Sequence, residues 1–153
     1  AGSFNIGPEK CCISKLLDKV VDLMLLKCKD KKVSLVTRYH GNEGRIIQND
    51  INRMEQVLLN LLSNAHKFTP RGGKIYVDVN FIDDSKLLEI AIEDSGIGIK
   101  EEDLGRLFNE FSRVVNPETI ELNPQGNGLG LWISRRLCQA MGGNIKVKST
   151  YGH

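Results

Sequence analysis

The chain has 153 residues, of which 26% are charged, and its formal net charge is only +2. This length fits one domain with a buried core, and the small net charge gives no general electrostatic reason to expect binding to nucleic acid or to an anionic membrane surface. No apolar run approaches the roughly 18 residues that a membrane-spanning helix requires. We therefore expect a soluble domain, and its 4 cysteines, which follow no metal-ligand spacing, are expected to be free thiols in a reducing, cytoplasmic compartment.

The N-terminal part of the chain is expected to form a tail, a helix and a hairpin. Residues 1–12 are weakly patterned and predicted to be a tail, so the domain is expected to span residues 13–153. Apolar residues recur at helical spacing over residues 13–28, which predicts a helix with a broad buried face. Two β-rich runs, 33–39 and 45–48, flank a segment of turn composition and are predicted to pair as a hairpin.

The stretch from Asp50 to Pro70 is predicted to be the central helix. Asp50 is typical of an N-cap, and Pro70 is typical of a helix stop. The apolar residues of this stretch fall on one face and are expected in the core: Met54, Val57, Leu58, Leu61, Leu62, Ala65 and Phe68. Because successive residues rotate by about 100° around a helix axis, a second, narrow face is polar. It carries Arg53, Gln56, Asn60, Asn64 and Lys67.

This polar face has the composition of a nucleotide site. Asn60 and Asn64 are amides one turn apart, and Lys67 follows within a turn. Carboxamide oxygens are neutral hard ligands that suit a hydrated Mg²⁺ already bound to phosphates, and an ammonium group suits the remaining phosphate charge. The face is therefore predicted to be the floor of a nucleotide site, although taken alone it fits a solvated helix surface equally well.

A second hairpin is predicted from residues 74–81 and 87–94, which alternate apolar and polar side chains on either side of a turn. Asp94 ends the second strand on the face that the apolar residues of that strand share. A buried carboxylate is costly unless it is hydrogen-bonded. Asp94 is therefore expected either to cap the turn that contains Gly96 and Gly98, or to accept a hydrogen bond from a ligand such as the exocyclic amine of adenine.

The C-terminal part is expected to contain a short helix at 101–111, a long loop at 112–125, a helix at 129–141 and a strand at 144–150. Glycines where the helix at 129–141 begins would expose backbone N–H groups at the positive end of a helix dipole, where phosphates bind. Their spacing is neither that of a Walker loop nor that of a dinucleotide fingerprint. The order of elements predicts an α+β fold with helices on one face of a mixed sheet.

Together, these segments resemble the catalytic and ATP-binding domain of sensor histidine kinases, which belongs to the gyrase, Hsp90, histidine kinase and MutL ATPase superfamily. NLLSNAHKFTP resembles the N box of that family, EDSGIGI the G1 box, LGRLFNEFSRV the F box and QGNGLGL the G2 box. The resemblance extends over nearly the whole chain from about Ser14. It implies a two-layer α/β sandwich of the Bergerat type, with a mixed sheet and helices on one face.

The resemblance also implies roles for individual residues. Asn64 would be the main Mg²⁺ ligand, Asn60 would support the ion or its water, and these two with Lys67 form the predicted catalytic set. Lys67 would contact phosphate, Phe68 would lie against the purine, and Asp94 would accept from the adenine amine. The remaining predicted cofactor-binding residues are Gly96, Gly98, Ile99, Gly126, Asn127, Gly128, Leu129 and Gly130. Asn127 stands where the family commonly has Thr, and residues from about 109 to 127 would form the ATP lid.

The implied function is that of a Mg·ATP-binding module that transfers the γ-phosphoryl group to a histidine on a separate helical dimerisation domain. None of His40, His66 and His153 lies in the acidic surroundings expected of the acceptor, so that domain is expected to be absent from this chain. The receiver domain of a response regulator would act downstream. One alternative is an ATPase of the gyrase or Hsp90 type, although Asn60 stands where those relatives place a water-activating Glu. Another is a nucleotide-sensing interaction module without phosphotransfer.

Overall fold

The computed structural model describes residues 7–41, 44–82, 87–96 and 129–145. Within these ranges the elements are β1 (Glu9–Cys12), α1 (Ile13–Lys31), β2 (Ser34–Tyr39), β3 (Ile46–Asn49), α2 (Ile51–Phe68), β4 (Lys74–Ile82), β5 (Leu87–Asp94) and α3 (Leu129–Ala140). The helix predicted at 101–111, the loop at 112–125 and the ATP lid at 109–127 lie outside the described residues. So does most of the strand predicted at 144–150.

The main sheet has three described strands in the order β2, β4, β5 and is mixed, as predicted. β4 and β5 are antiparallel, with Val77 opposite Ile92, so the predicted second hairpin is confirmed. β2 runs parallel to β4, with Thr37 opposite Val77. A parallel pair needs a crossover connection, and the segment containing β3 and α2 provides it.

The predicted first hairpin is wrong. Its two runs form strands β2 and β3, but β2 pairs with β4, whereas β3 pairs antiparallel with β1 and places Cys11 opposite Ile47. Residues 9–12, which were expected to belong to the tail, thus form a strand of a separate two-stranded sheet. The turn composition between the two runs is compatible with a hairpin, but strand pairing also depends on distant residues, which local composition does not report.

The helices cover one face of the main sheet, which gives the two layers of the predicted α+β sandwich. The inward side chains of β4 at Ile75, Val77 and Val79 are fully or almost fully buried. They form one core cluster with buried residues of α1 and α2, which include Leu16, Leu17, Val20, Leu58 and Leu62. The opposite face of the sheet is polar in part, since Arg38 pairs there with Asp78 at 2.7 Å and lies over the ring of Tyr76.

None of the helices in the described ranges is both long enough and apolar enough to cross a bilayer.

The central helix begins and ends as predicted. The Asp50 carboxylate caps its first turn by accepting from the Arg53 N–H at 3.2 Å, and it also accepts from the Gly7 N–H at 3.0 Å and from Arg53 Nε at 3.1 Å. At the other end, the Thr69 hydroxyl donates to the carbonyl of Ala65 at 2.6 Å, just before Pro70. α3 ends before a glycine in the left-handed region, since Gly142 has a φ of 86°.

The cap at Asp50 predicts a pH-dependent contribution to stability. The Gly7 N–H, followed by the N–H and guanidinium of Arg53, holds the pKa of Asp50 below its ordinary value. A carboxyl whose pKa is lower in the folded state contributes its full stability above the unfolded pKa and loses it as the pH falls through the folded pKa. Asp50→Ala should therefore destabilise the protein at about pH 7, and the difference from wild type should shrink as the pH approaches about 3.

Urea denaturation across this pH range measures the effect. Asp18→Ala, at an exposed position of α1, is the matched control and should change stability little at any pH. A loss of stability in Asp50→Ala that is the same at every pH would contradict the role of the charged carboxylate.

Candidate functional site

The predicted polar face is present on α2. Asn60 and Asn64 are half-buried, and Lys67 is exposed at the last turn of the helix. The opposite face is buried in the core through Val57, Leu58, Leu62 and Ala65. Periodicity predicts Phe68 in the core, but the residue is only half-buried, so it is partly accessible to a ligand.

Asn60 is held by a residue that lies outside the predicted site motifs. Its amide nitrogen Nδ2 donates to the hydroxyl oxygen of Ser134 at 3.2 Å. Ser134 lies on α3 and is completely buried, one turn before the buried Leu137. A serine on the apolar face of a helix was the available sequence signal, because a buried hydroxyl needs a hydrogen-bond partner. The contact joins the predicted metal-binding helix to the helix that follows the predicted phosphate-binding glycines.

Asp94 lies at the end of β5, as predicted, and its carboxylate caps the following turn. Oδ1 accepts from the N–H of Gly96 at 2.8 Å. The side chain is accessible to solvent rather than buried, and the apolar side chains on its face of β5 are half-buried. The atoms packed around it nevertheless raise the pKa of the Asp94 carboxyl by desolvation, against the opposing effect of the Gly96 N–H. Within the described residues Oδ2 has no partner, so the cap leaves one oxygen available to a ligand.

Gly96 brings the turn after β5 into direct contact with the end of α2. A Cβ atom built on Gly96 would lie 2.5 Å from the carbonyl oxygen of Phe68 and 2.8 Å from Asp94 Oδ1. Real Cβ atoms do not approach other atoms so closely, so the position requires glycine. This close packing places Asp94 beside the last turn of α2, which carries Lys67 and Phe68.

Residues of α1 also hold the end of α2 in place. Lys31 Nζ donates to the carbonyl oxygen of His66 at 2.6 Å, which places a cation at the negative end of the α2 dipole. His66 Nε2 lies 3.0 Å from the carbonyl oxygen of Lys27. The His66 ring is thus turned toward α1, and burial is the largest of the effects that lower its pKa. These contacts hold the helix turn that presents Lys67.

The glycine-rich segment is described only at its end. Gly98, Ile99, Gly126, Asn127 and Gly128 lie outside the described residues. α3 begins at Leu129 and includes Gly130, and the body of α3 packs against α2. The backbone that precedes α3 therefore leads directly to the helix that contacts Asn60. The structure thus brings together Asn60, Asn64, Lys67, Phe68, Asp94 and Gly96 along α2 and the end of β5.

Comparison with known proteins relates this arrangement to a family. Residues 49–153 match the family described as histidine kinase-, DNA gyrase B-, and HSP90-like ATPase. The chain is 39% identical over 155 residues to the hybrid signal transduction histidine kinase B of Dictyostelium discoideum, with 99% of this chain and 8% of that protein covered. It is 38% identical over 149 residues to the sensor histidine kinase WalK of Bacillus subtilis, with 97% and 24% covered. The chain thus spans about a quarter or less of the length of these relatives.

A solved structure shows the same architecture. Full-length ShkA, solved in complex with AMPPNP, matches with a TM-score of 0.80 and 27% sequence identity, with 98% of this chain and 30% of ShkA covered. The family match extends over more than half of the chain and includes α2, β4, β5 and α3. The chain therefore belongs to the histidine kinase-, DNA gyrase B- and HSP90-like ATPase family, and its fold is that of a histidine kinase catalytic domain.

Proposed function

We propose that this chain binds Mg·ATP and is the catalytic module of a two-component sensor histidine kinase. It would transfer the γ-phosphoryl group to a histidine on a separate helical domain. The observation that carries the proposal is the contact between Gly96 and the end of α2, because Gly96 also packs against the Asp94 carboxylate and so brings it beside the last turn of that helix. Together, α2 and the end of β5 then offer an acceptor for an adenine amine, amide oxygens for a metal and an ammonium group for phosphate.

The residues on α2 fit a magnesium ion that carries phosphates. The amide nitrogen of Asn60 is committed to Ser134, so its oxygen is the atom left for the ion or its water. Asn64, one turn further, would supply the second amide oxygen, and both side chains are only half-buried. Neutral oxygens suit Mg²⁺ that is already partly neutralised by phosphate. When bound, the ion would neutralise charge on the transferring phosphoryl group.

The protein would contribute mainly position and charge. Asp94 would orient the base through Oδ2, while Oδ1 stays in the turn cap. Phe68, which is only half-buried, would contact the purine, and Lys67 would balance phosphate charge at the end of α2. We assign Gly98, Ile99 and the segment from Gly126 to Gly130 to the base and phosphate contacts by family resemblance. Phosphoryl transfer needs little covalent chemistry from the protein, so positioning and electrostatic stabilisation are sufficient.

An ATPase of the gyrase or Hsp90 type is less well supported. Such an enzyme needs a group that activates water, and the carboxylate within α2 is Glu55, more than one turn before Asn60. Glu55 Oε2 is paired with Lys19 Nζ at 3.0 Å. Phosphotransfer to a histidine needs no water-activating carboxylate, so the site favours the kinase.

The proposal includes partners and a location. A helical domain with the phosphoacceptor histidine would be part of the same full-length protein, and a response regulator receiver domain would take the phosphoryl group from it. Two of the most similar relatives are named as histidine kinases that are far longer than this chain, which leaves room for such a domain. The four cysteines are free thiols in the structure, which favours a cytoplasmic location.

Calorimetric titration of a non-hydrolysable ATP analogue, with Mg²⁺ and with a chelator, tests the nucleotide site. We expect binding that is tighter with Mg²⁺. Incubation with ATP and a separately produced phosphoacceptor domain then tests transfer, and a phosphohistidine should appear on that domain. Mg²⁺-dependent binding without transfer to any such domain would favour the nucleotide-sensing alternative, and absence of nucleotide binding would exclude both.

Asp94→Asn should weaken ATP binding by about 1–3 kcal/mol, the usual cost of an unmatched hydrogen-bonding group. The carboxylate of aspartate offers only acceptor oxygens, whereas the amide of asparagine offers one acceptor and one donor group, so the match to the adenine amine is lost. Glu93→Gln, an exposed neighbour whose side chain points to the other face of β5, is the matched control and should bind normally. Unchanged affinity in a folded Asp94→Asn variant would rule out the adenine role.

A further inference from the structure

The contact between Asn60 and Ser134 joins two helices that are distant in sequence. The two residues are 74 positions apart, and their side chains meet at 3.2 Å between Asn60 Nδ2 and Ser134 Oγ. Ser134 is completely buried where α3 packs against α2. A buried hydroxyl at a helix contact is costly unless it is hydrogen-bonded, so this pairing is a stable feature of the interface.

In the structure the Asn60 amide is oriented with its nitrogen toward the Ser134 hydroxyl oxygen. An amide group can rotate by half a turn and exchange its oxygen and nitrogen at nearly the same positions. An amide nitrogen bound to Ser134 leaves the oxygen as the free atom, and within the described part of the chain that oxygen has no protein partner. Only the oxygen can accept from a metal-bound water or bind a cation directly. The amide oxygen is thus directed by a residue that would not itself contact the ligand.

We propose that Ser134 is a positioning residue of the nucleotide site, which holds the Asn60 amide in the orientation that supports Mg²⁺ binding. This inference rests on the proposed function. Ser134 lies on the helix whose first residues, Leu129 and Gly130, belong to the predicted phosphate-binding segment. The same hydrogen bond therefore joins the helix that carries the predicted metal ligands to the helix that begins in the predicted phosphate-binding segment.

The structural premise is tested first in the free protein, without any ligand. The side-chain amide signals of Asn60, identified by their loss in Asn60→Ala, should shift in the ¹⁵N–¹H spectrum of Ser134→Ala. Ser63→Ala is the matched control, because the Ser63 hydroxyl is directed at Met24 Sδ instead, at 3.8 Å. It should leave these signals unchanged. Unshifted Asn60 signals in Ser134→Ala would overturn the proposal.

The functional premise is tested by the affinity for a non-hydrolysable ATP analogue with Mg²⁺ and with a chelator. Ser134→Ala should raise Kd with Mg²⁺ by about five- to tenfold, as expected for one lost hydrogen bond, and should change Kd in chelator by less than about twofold. Ser134→Cys, whose slightly larger side chain leaves no cavity but is a poor acceptor, should behave in the same way, which separates the lost hydrogen bond from a cavity. The double variant Asn60→Ala/Ser134→Ala should bind no more weakly than Asn60→Ala alone.

The outcomes separate this inference from the proposed function. Equal losses with and without Mg²⁺, or losses that add in the double variant, would mean that Ser134 only supports the packing of α3, and the inference would fail. Mg²⁺-dependent binding by wild type together with unchanged binding by both Ser134 variants would also overturn it, while the proposed function stands. Binding by wild type that does not depend on Mg²⁺ would remove both.

Discussion

Asn64→Ala is expected to abolish the Mg²⁺ dependence of ATP binding and to reduce phosphotransfer by about 100-fold or more. Mutation of a residue that only hydrogen-bonds to a metal ligand already lowers metal affinity or activity by about 10–100-fold. Alanine removes the amide oxygen but keeps the helix, because alanine is the best helix former. Affinity measured in chelator should stay close to that of wild type, since the proposed adenine contacts near Asp94 would be untouched. Calorimetry with and without Mg²⁺ measures the difference directly.

Two further variants on the same helix calibrate this result. Asn60→Ala should have a smaller effect than Asn64→Ala, because Asn60 is assigned a supporting role. Asn52→Ala is the matched control, since Asn52 is an exposed residue of the same type in the first turn of α2. If both Asn60→Ala and Asn64→Ala keep full Mg²⁺-dependent binding, the polar face of α2 is a solvated surface and the metal site must be abandoned.

Gly96→Ala should be the most damaging single methyl addition among the described site residues. The new Cβ would lie 2.5 Å from the backbone oxygen of Phe68, so either the end of β5 or the end of α2 must move. Overpacking of this kind costs about 1–3 kcal/mol of stability. The movement would also displace Asp94 from α2, so we expect ATP binding to weaken by about tenfold or more, a loss of about 1.4 kcal/mol or more in binding free energy.

Gly44→Ala is the control for Gly96→Ala. A Cβ at Gly44 would meet no heavy atom within 4 Å, and its backbone is not in the left-handed region. This variant should unfold at the temperature of wild type and bind ATP normally. Thermal unfolding and nucleotide titration of both variants decide the matter. Normal binding by a folded Gly96→Ala variant would show that the contact between β5 and α2 does not position the base-binding carboxylate.

Some features of the site could be foreseen because their signals are local. The polar face of α2 follows from a rotation of about 100° per residue, and the alternation along β5 places Asp94 at the end of a defined strand face. The family resemblance added roles that periodicity does not contain, such as the contact of Phe68 with a purine. Periodicity alone had placed that ring in the core, because a half-buried aromatic at the edge of an apolar face has the same pattern as a buried one.

Other features of the site depend on residues far apart in the chain. Nothing near Asn60 indicates that its amide meets Ser134, and nothing near Gly96 indicates that it packs on the backbone of Phe68. Both contacts form only when α3 and the end of β5 are placed against α2. Asp94 was expected on an apolar face, but the strand alternation does not tell how much of that face the helices cover, and the carboxylate is accessible.

The sequence by itself determined the elements α1, α2, β4, β5 and α3, together with the cap at Asp50 and the mixed α+β class, because these depend on hydrogen bonds and periodicities within a few residues. Only the tertiary structure decided that β2 pairs with β4 and β3 with β1. The local sequence of two short β-rich runs separated by a turn is compatible with a hairpin. A strand in the main sheet buries side chains on the helix-covered face, however, and that burial is settled by long-range packing rather than by the turn.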